Sequence, residues 1–183
     1  MSKVGLKAIV FSSAQVKIDG NKIFLKGPKG EATHSLPDEI CAKIDDKSIL
    51  VRPVGELKDI SRQLKASWGM NSAILANKVR GVESGFVTNI IIVGLGYKAL
   101  LAGKNLNFSL GYSHKIDLTI PDGVVVEVDK TGQRITAASI DKLELGNFCA
   151  TVKALRPVEP YKGTGIFVEG DRILRKAGKT KKS

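Results

Sequence analysis

Short stretches in which apolar and polar residues alternate dominate the chain. Val16 and Ile18 alternate with Lys17 and Asp19, and Ile23 and Leu25 follow after Gly20-Asn21. A period of two puts one set of side chains on one face of an extended segment, so each stretch predicts a half-buried β-strand. Gly27-Pro28-Lys29-Gly30 predicts a turn, because proline fixes its own φ and glycine reaches positive φ. Ala32, His34 and Leu36 predict a third strand and Ile40, Ala42 and Ile44 a fourth. Asp45-Asp46-Lys47 then turns the chain into a strand over 49–52, closed by Pro53.

Beyond Pro53 the period changes. Leu57, Ile60, Leu64, Trp68, Leu75 and Val79 recur at helical spacing and predict one amphipathic helix over about residues 56–79. Gly69 lies inside it at a cost of roughly 1 kcal/mol relative to alanine. Gly81 is the expected terminator, and Glu83-Ser84-Gly85 the end of a unit.

The pattern then starts again. Residues 87–93 predict a strand, 97–101 and 106–110 a hairpin around Ala102-Gly103-Lys104-Asn105, and 116–120, 124–128 and 135–137 three further strands. A second helix follows, with Asp141 and Glu144 suited to a capping-box-like start, Leu145, Phe148, Cys149, Val152 and Leu155 on its apolar face, and Pro157 at its end. At an offset of 84 positions Gly27 falls on Gly111, Pro37 on Pro121, Asp38 on Asp122, Leu64 on Phe148 and Trp68 on Val152. The predicted architecture is therefore α+β: two tandem copies of a small antiparallel β-sheet unit with one packed α-helix, an internal duplication, plus a basic C-terminal tail. The expected boundaries are 1–82, 83–170 and 171–183.

Of 183 residues, 43% are hydrophobic and 26% charged, a composition that folds rather than one that stays disordered. The longest apolar run, Ile90-Ile91-Ile92-Val93, is far short of the ~20 residues a membrane span needs. The N-terminus carries no apolar core of a secretory signal, and Cys41 and Cys149 stand alone, which predicts small buried residues in a reducing, cytoplasmic compartment. Charge changes the picture more. The net charge is +11, and the last 31 residues hold nine of the basic side chains against Glu159, Glu169 and Asp171. Such an excess repels itself unless a polyanion neutralises it, and nucleic acid is the leading candidate.

Catalytic chemistry has little to work with. The two histidines, His34 and His114, fall in separate halves, and no Gly-x-Ser-x-Gly elbow or His-Glu-x-x-His pair occurs. Gly94-Leu95-Gly96-Tyr97-Lys98-Ala99 matches a loose dinucleotide fingerprint. That motif needs a helix after it, whereas Leu106, Phe108 and Leu110 alternate as a strand, so a bend beside a hairpin is expected. No cofactor, metal or small-molecule substrate is expected. The segment 153–166 is the richest. Two prolines keep it extended, Arg156 and Lys162 supply charge, Tyr161 a ring for stacking or hydrogen bonding, and Gly163 and Gly165 let a backbone approach closely. Composition equally allows a loop crossing its own domain, with Tyr161 packed there. The final stretch 175–183 has no apolar pattern on which to fold.

Pro160-Tyr161-Lys162-Gly163-Thr164-Gly165-Ile166 resembles the C-terminal signature of large-subunit ribosomal protein six, bacterial type. The likeness spans nearly the whole chain. It includes the start Met1-Ser2-Lys3-Val4-Gly5, the segments 16–21 and 26–31 as a first hairpin, the central motifs 93–99 and 110–114, and Ala154-Leu155-Arg156-Pro157 ahead of the signature. Thr164 stands where the family usually has lysine, and Val158 where it has proline or a small residue, which puts single phosphate contacts in question. The resemblance implies binding to large-subunit ribosomal RNA, chiefly through the second unit, beside neighbouring ribosomal proteins. It places the protein near the docking site of translation GTPase factors and the stalk base, and implies no catalysis. The RNA-contacting candidates are Lys153, Arg156, Tyr161, Lys162, Gly163, Gly165, Arg172, Arg175, Lys176 and Lys179. The competing expectation is a non-ribosomal protein-binding module whose basic tail only confers solubility.

Overall fold

The computed structural model describes residues 3–55 and 60–178. Leu57 and Lys179, singled out above, lie outside the described residues, as do the first two residues of the N-terminal motif.

The first unit lies within Met1–Gly85 together with Ile140–Lys142. Its strands are β1 (Ile9–Val10), β2 (Gln15–Asp19), β3 (Lys22–Gly27), β4 (Gly30–Ser35), β5 (Ile40–Asp45) and β6 (Ser48–Pro53), followed by α1 (Arg62–Glu83). They form two three-stranded antiparallel sheets, β2-β3-β4 and β1-β6-β5. The alternation sets the register: Ile23 and Leu25 of β3 and Ile49 and Val51 of β6 are buried, while Lys22, Lys26 and Arg52 are exposed. Asp46 takes a φ of 46° in the β5–β6 turn, a conformation that aspartate tolerates better than most residues.

α1 begins six residues later than its periodicity predicts and ends four residues later. Ser61 caps it, its side chain accepting the Leu64 N–H at 3.1 Å, which satisfies one of the orphan donors of the first turn. Gly81 does not end the helix. It is buried within it, and the next residue, Val82, packs so closely that a Cβ on Gly27 would stand 2.6 Å from its side chain. Ser84 is the C-cap, and Gly85 leaves the helix at a φ of 72°. Trp68 is fully buried, and its indole N–H donates to the Val51 carbonyl at 2.8 Å. Glu83, in the last turn, accepts N–H groups from Ser12 (2.6 Å), Ser13 (2.9 Å) and Ala14 (3.2 Å). Burial alone would push its carboxyl up, but these donors hold it below the usual carboxylate value.

The second unit comprises Phe86–Ser139 and Leu143–Ser183. Its elements are β7 (Phe86–Val93), β8 (Lys98–Ala102), β9 (Asn105–Ser109), β10 (Ile116–Thr119), β11 (Val124–Val128), β12 (Arg134–Ser139), α2 (Lys142–Leu155) and β13 (Gly165–Val168). The pairing order of the first unit recurs: β8-β9-β10 matches β2-β3-β4, and β7-β12-β11 matches β1-β6-β5. The α+β duplication expected from the alternation is thus the observed one. Segment 94–99 is a bend leading into a strand, with Gly94 packed against the Tyr97 ring, so the dinucleotide fingerprint lacks its helix. Ile90, Ile92, Leu106, Phe108, Ile135 and Ile166 are all but completely buried, with Phe148 and Val152 of α2 in the same core.

β13 departs from the expectation of an irregular segment through residue 166. Ile166 pairs with Ile92 and Val168 with Ile90, adding a fourth strand to β11-β12-β7. Arg175 and Lys176 also depart from the expectation of an unanchored tail, because the Lys176 N–H donates to the Pro160 carbonyl at 2.9 Å.

Candidate nucleic-acid interface

The described C-terminal candidates lie on α2, in the turn that follows it, at the start of β13 and in the segment beyond it. α2 stops at Leu155, ahead of Pro157, and the chain passes through a closed turn before returning as β13. Glu159 donates its N–H to the Thr164 carbonyl at 2.8 Å, Gly163 donates to the Glu159 carbonyl at 3.0 Å, and Ile166 donates to the Arg156 carbonyl at 2.9 Å. The Thr164 hydroxyl donates to the Glu159 carboxylate at 3.2 Å, so the residue standing in place of the family's usual lysine here pins the turn.

Gly163 and Gly165 are both buried, and the atoms that exclude a side chain from them belong to this chain. Gly163 has a φ of +72°, and a Cβ there would stand 2.8 Å from the Arg175 guanidinium. Gly165 has a φ of +141°, and its Cβ would meet the Pro157 carbonyl oxygen at 2.7 Å. Their bareness therefore serves the turn itself and brings Arg175 flat against it.

The side chains divide by what holds them. Lys153 pairs with Asp171 at 2.6 Å, and Asp171 also accepts the Val168 N–H at 3.1 Å. The Lys153 hydrogen bond, with that N–H, holds the Asp171 carboxyl below its usual value. Tyr161, Lys162, Arg172, Arg175 and Lys176 are exposed, and among the described residues no ion pair engages these four cations. Tyr161 is 57% exposed rather than packed on its own domain. The charge of this region is thus only partly neutralised internally.

Arg156 lies differently. Its guanidinium carbon sits 4.9 Å from the centroid of the Tyr112 ring, inside the range of a cation–π contact. The Tyr112 hydroxyl donates to the Leu155 carbonyl at 3.1 Å, satisfying an orphan acceptor at the end of α2 and fixing the ring. Tyr97 stands beside the same guanidinium. Tyr112 and His114 stack with ring centroids 6.2 Å apart and planes inclined by 23°. Tyr112, Arg156, Pro157, Glu159 and Thr164 line a cavity of about 290 Å³. Tyr112 and His114 are not among the RNA-contacting candidates named from the sequence; they lie in the bend between β9 and β10, where no periodicity marks which side chains meet.

His34, the other histidine, is not part of this region. It is buried in the first unit, with Nε2 3.1 Å from the Asn71 side-chain oxygen. Burial, and then the charge of Lys78, hold its imidazole below the ordinary value. Among the described residues no cluster of three or more histidine, cysteine or acidic side chains is placed to hold a metal ion. No described helix is long and apolar enough to cross a membrane.

Comparison with known proteins gives a consistent picture. The family described as ribosomal protein L6 matches residues 93–168. Over 182 residues the chain is 41% identical to large ribosomal subunit protein uL6 of Beijerinckia indica subsp. indica, covering 99% of this chain and 100% of that relative. It is 42% identical over 183 residues to the uL6 protein of Sphingopyxis alaskensis, covering 99% and 100%. It is 40% identical over 183 residues to that of a Synechococcus species, covering 100% and 99%.

Proposed function

The chain belongs to the ribosomal protein L6 family, and on that premise we propose that it is a structural, non-enzymatic constituent of the large ribosomal subunit that binds large-subunit ribosomal RNA. Its place is in the cytoplasm, among neighbouring large-subunit proteins, near the site where translation GTPases dock and the stalk base. The first repeat spans 1–82. The second, 83–170, is the main RNA-binding unit, and the basic tail, 171–183, extends its reach.

The observation that carries this reading is the cationic region built on hydrogen-bonded backbone. Lys162, Arg172, Arg175 and Lys176 project from segments tied together by the Glu159–Thr164 turn and the Lys176–Pro160 bond. Cations held in place lose less freedom on meeting a phosphate than cations on a free chain. Arg156 meets RNA already oriented by Tyr112, and Tyr161 offers a ring for stacking or for a hydrogen bond to the backbone. Lys153 acts mainly by holding Asp171, and Gly163 and Gly165 by shaping the turn. Lys179 adds a further phosphate contact. Paired RNA hides its base edges in a deep groove, so recognition rests on shape and backbone.

The test is a map of cross-links in intact large subunits, joined to the salt dependence of binding to isolated large-subunit RNA. Cross-links from Tyr161 and Lys162 to RNA are expected, and co-sedimentation should survive a high-salt wash. Replacing Lys162 and Arg172 together by glutamine should lower the slope of log K against log salt by about 1.5, given roughly 0.7–0.9 per phosphate contact. Cross-links to protein alone, with an unchanged slope, would overturn the reading and favour a protein-binding module.

A further inference from the structure

We propose that the exposed His114 imidazole, packed with Arg156 around the Tyr112 ring, receives one unpaired base of the bound RNA. This rests on the RNA-binding reading above and adds to it the class of nucleotide taken and the residue that takes it.

Two planar groups pack on the Tyr112 ring. The guanidinium carbon lies 4.9 Å from the Tyr112 centroid, and the imidazole centroid lies 6.2 Å from it, the two ring planes inclined by 23°. The Tyr112 ring is fixed. The Tyr112 hydroxyl is spent on the Leu155 carbonyl, and the guanidinium is flanked by Tyr97, whose own ring is wedged beside Gly94 and Gly111. The imidazole is not covered: Tyr112 is 42% exposed, and His114 and the adjacent Lys115 are exposed as well. A tyrosine ring fixed in this way has already given up the rotamer freedom that packing on it would otherwise cost.

The geometry selects the ligand. A base in a duplex has both faces stacked on its neighbours, so it cannot offer one to an imidazole; a base in a loop, in a bulge or at an end can. Every base has a π-face, so a stack on His114 distinguishes unpaired from paired nucleotides more than one base from another. Lys115 stands next to His114 in the chain, where the phosphate attached to such a base can reach a cation. His114 is thus a second recognition element, separate from the phosphate contacts of the C-terminal region.

The experiment uses the full chain and two RNA probes of equal charge: a hairpin carrying a single 2-aminopurine in its loop, and a blunt duplex. The wild-type protein should quench the 2-aminopurine fluorescence and prefer the hairpin by about tenfold, the usual scale of one base–aromatic stack. His114→Ala should bring the hairpin-to-duplex ratio close to one and abolish the quenching, while His114→Phe should retain both. Tyr112→Phe, which keeps the ring and loses the Leu155 hydrogen bond, should keep the preference at reduced strength. Persistence of quenching and preference in His114→Ala would overturn the inference. Equal wild-type binding to both probes without quenching would overturn it while leaving the RNA-binding reading intact. Wild-type binding to neither probe at low salt would sink both.

Discussion

In the first unit α1 runs for 22 residues and carries Trp68, Asn71 and Ser72 into the interior; in the second α2 stops after 14 and carries Leu145, Phe148, Cys149 and Val152. The sheets on which they lie pair in the same order. At the offset of 84 positions Trp68 falls on Val152, and α1 fills its interior with Trp68, Leu75, Val79 and Val82 where α2 uses Leu145, Phe148, Cys149 and Val152. The first also buries polar atoms. His34 meets Asn71, and the Ser72 hydroxyl has no hydrogen-bond partner among the described residues. The early stop of α2 is what frees the chain to make the cation-bearing turn and β13. Two copies of one topology therefore diverge most where their helices end, and the candidate interface grows from that divergence.

Several substitutions would break or sharpen this contrast. The largest effect is expected from Trp68→Ala, which removes a fully buried ring and its hydrogen bond to Val51. A loss of about 3–5 kcal/mol is typical of such a deletion. Hydrogen exchange should show loss of protection at Ile49 and Leu75, with Ile90 and Ile135 still protected. Equal loss in both units would mean that the two interiors are not separately stabilised.

Gly165→Ala is expected to be next. It forces a side chain into a φ of +141° and against the Pro157 carbonyl. A strained backbone position of this kind costs about 1–3 kcal/mol. The readout is loss of exchange protection at Ile166, whose N–H donates to the Arg156 carbonyl, and along β13 where it pairs with β7, together with weaker RNA binding even though no cation is removed.

Ser72→Ala runs in the opposite direction. It deletes a buried hydroxyl without a partner, so the first unit should gain about 1 kcal/mol. A thermal melt that moved down instead would mean that the hydroxyl is bonded in solution.

The smallest effect is a pH slope confined to the first unit. Burial and Lys78 keep the His34 imidazole neutral to lower pH than in the unfolded chain, where it titrates near 6.5. Above that value both states are neutral and the stability is complete. As pH falls below it the unfolded chain takes up a proton that the folded one resists, so stability is lost until the folded value is reached. Denaturant melts between pH 7 and pH 5 should show this slope, and His34→Gln, which can still donate to Asn71, should flatten it.

Much of this fold was legible in the residues because alternation has a direct cause. Ile23 and Leu25, or Val124 and Val126, recur every second position because one sheet face is buried and the other is wet. Helix limits were harder to read. Gly81 looks like a terminator from composition, yet its lack of a side chain suits a buried position inside α1. β13 was illegible because Gly165-Ile166-Phe167-Val168 is short, follows two prolines and a glycine, and gains its strand character only by pairing with Val93 and its neighbours more than seventy positions earlier. The cations of the candidate site were readable as charge, but not their partition. Nothing local says that Lys153 is held by Asp171 while no ion pair among the described residues engages Arg172, or that Arg156 leans on Tyr112.

The pairing of β13 with β7 also bears on biosynthesis. The last strand of the second unit closes an edge opened by its first, so a nascent chain emerging from its own synthetic machinery carries Ile90 and Ile92 without their final neighbour until residue 168 is made. Folding vectorially from the N-terminus, the first repeat can finish early, whereas the second must wait for nearly the full length to be translated. The surface proposed to grip RNA is consequently completed late, after most of the chain has been translated.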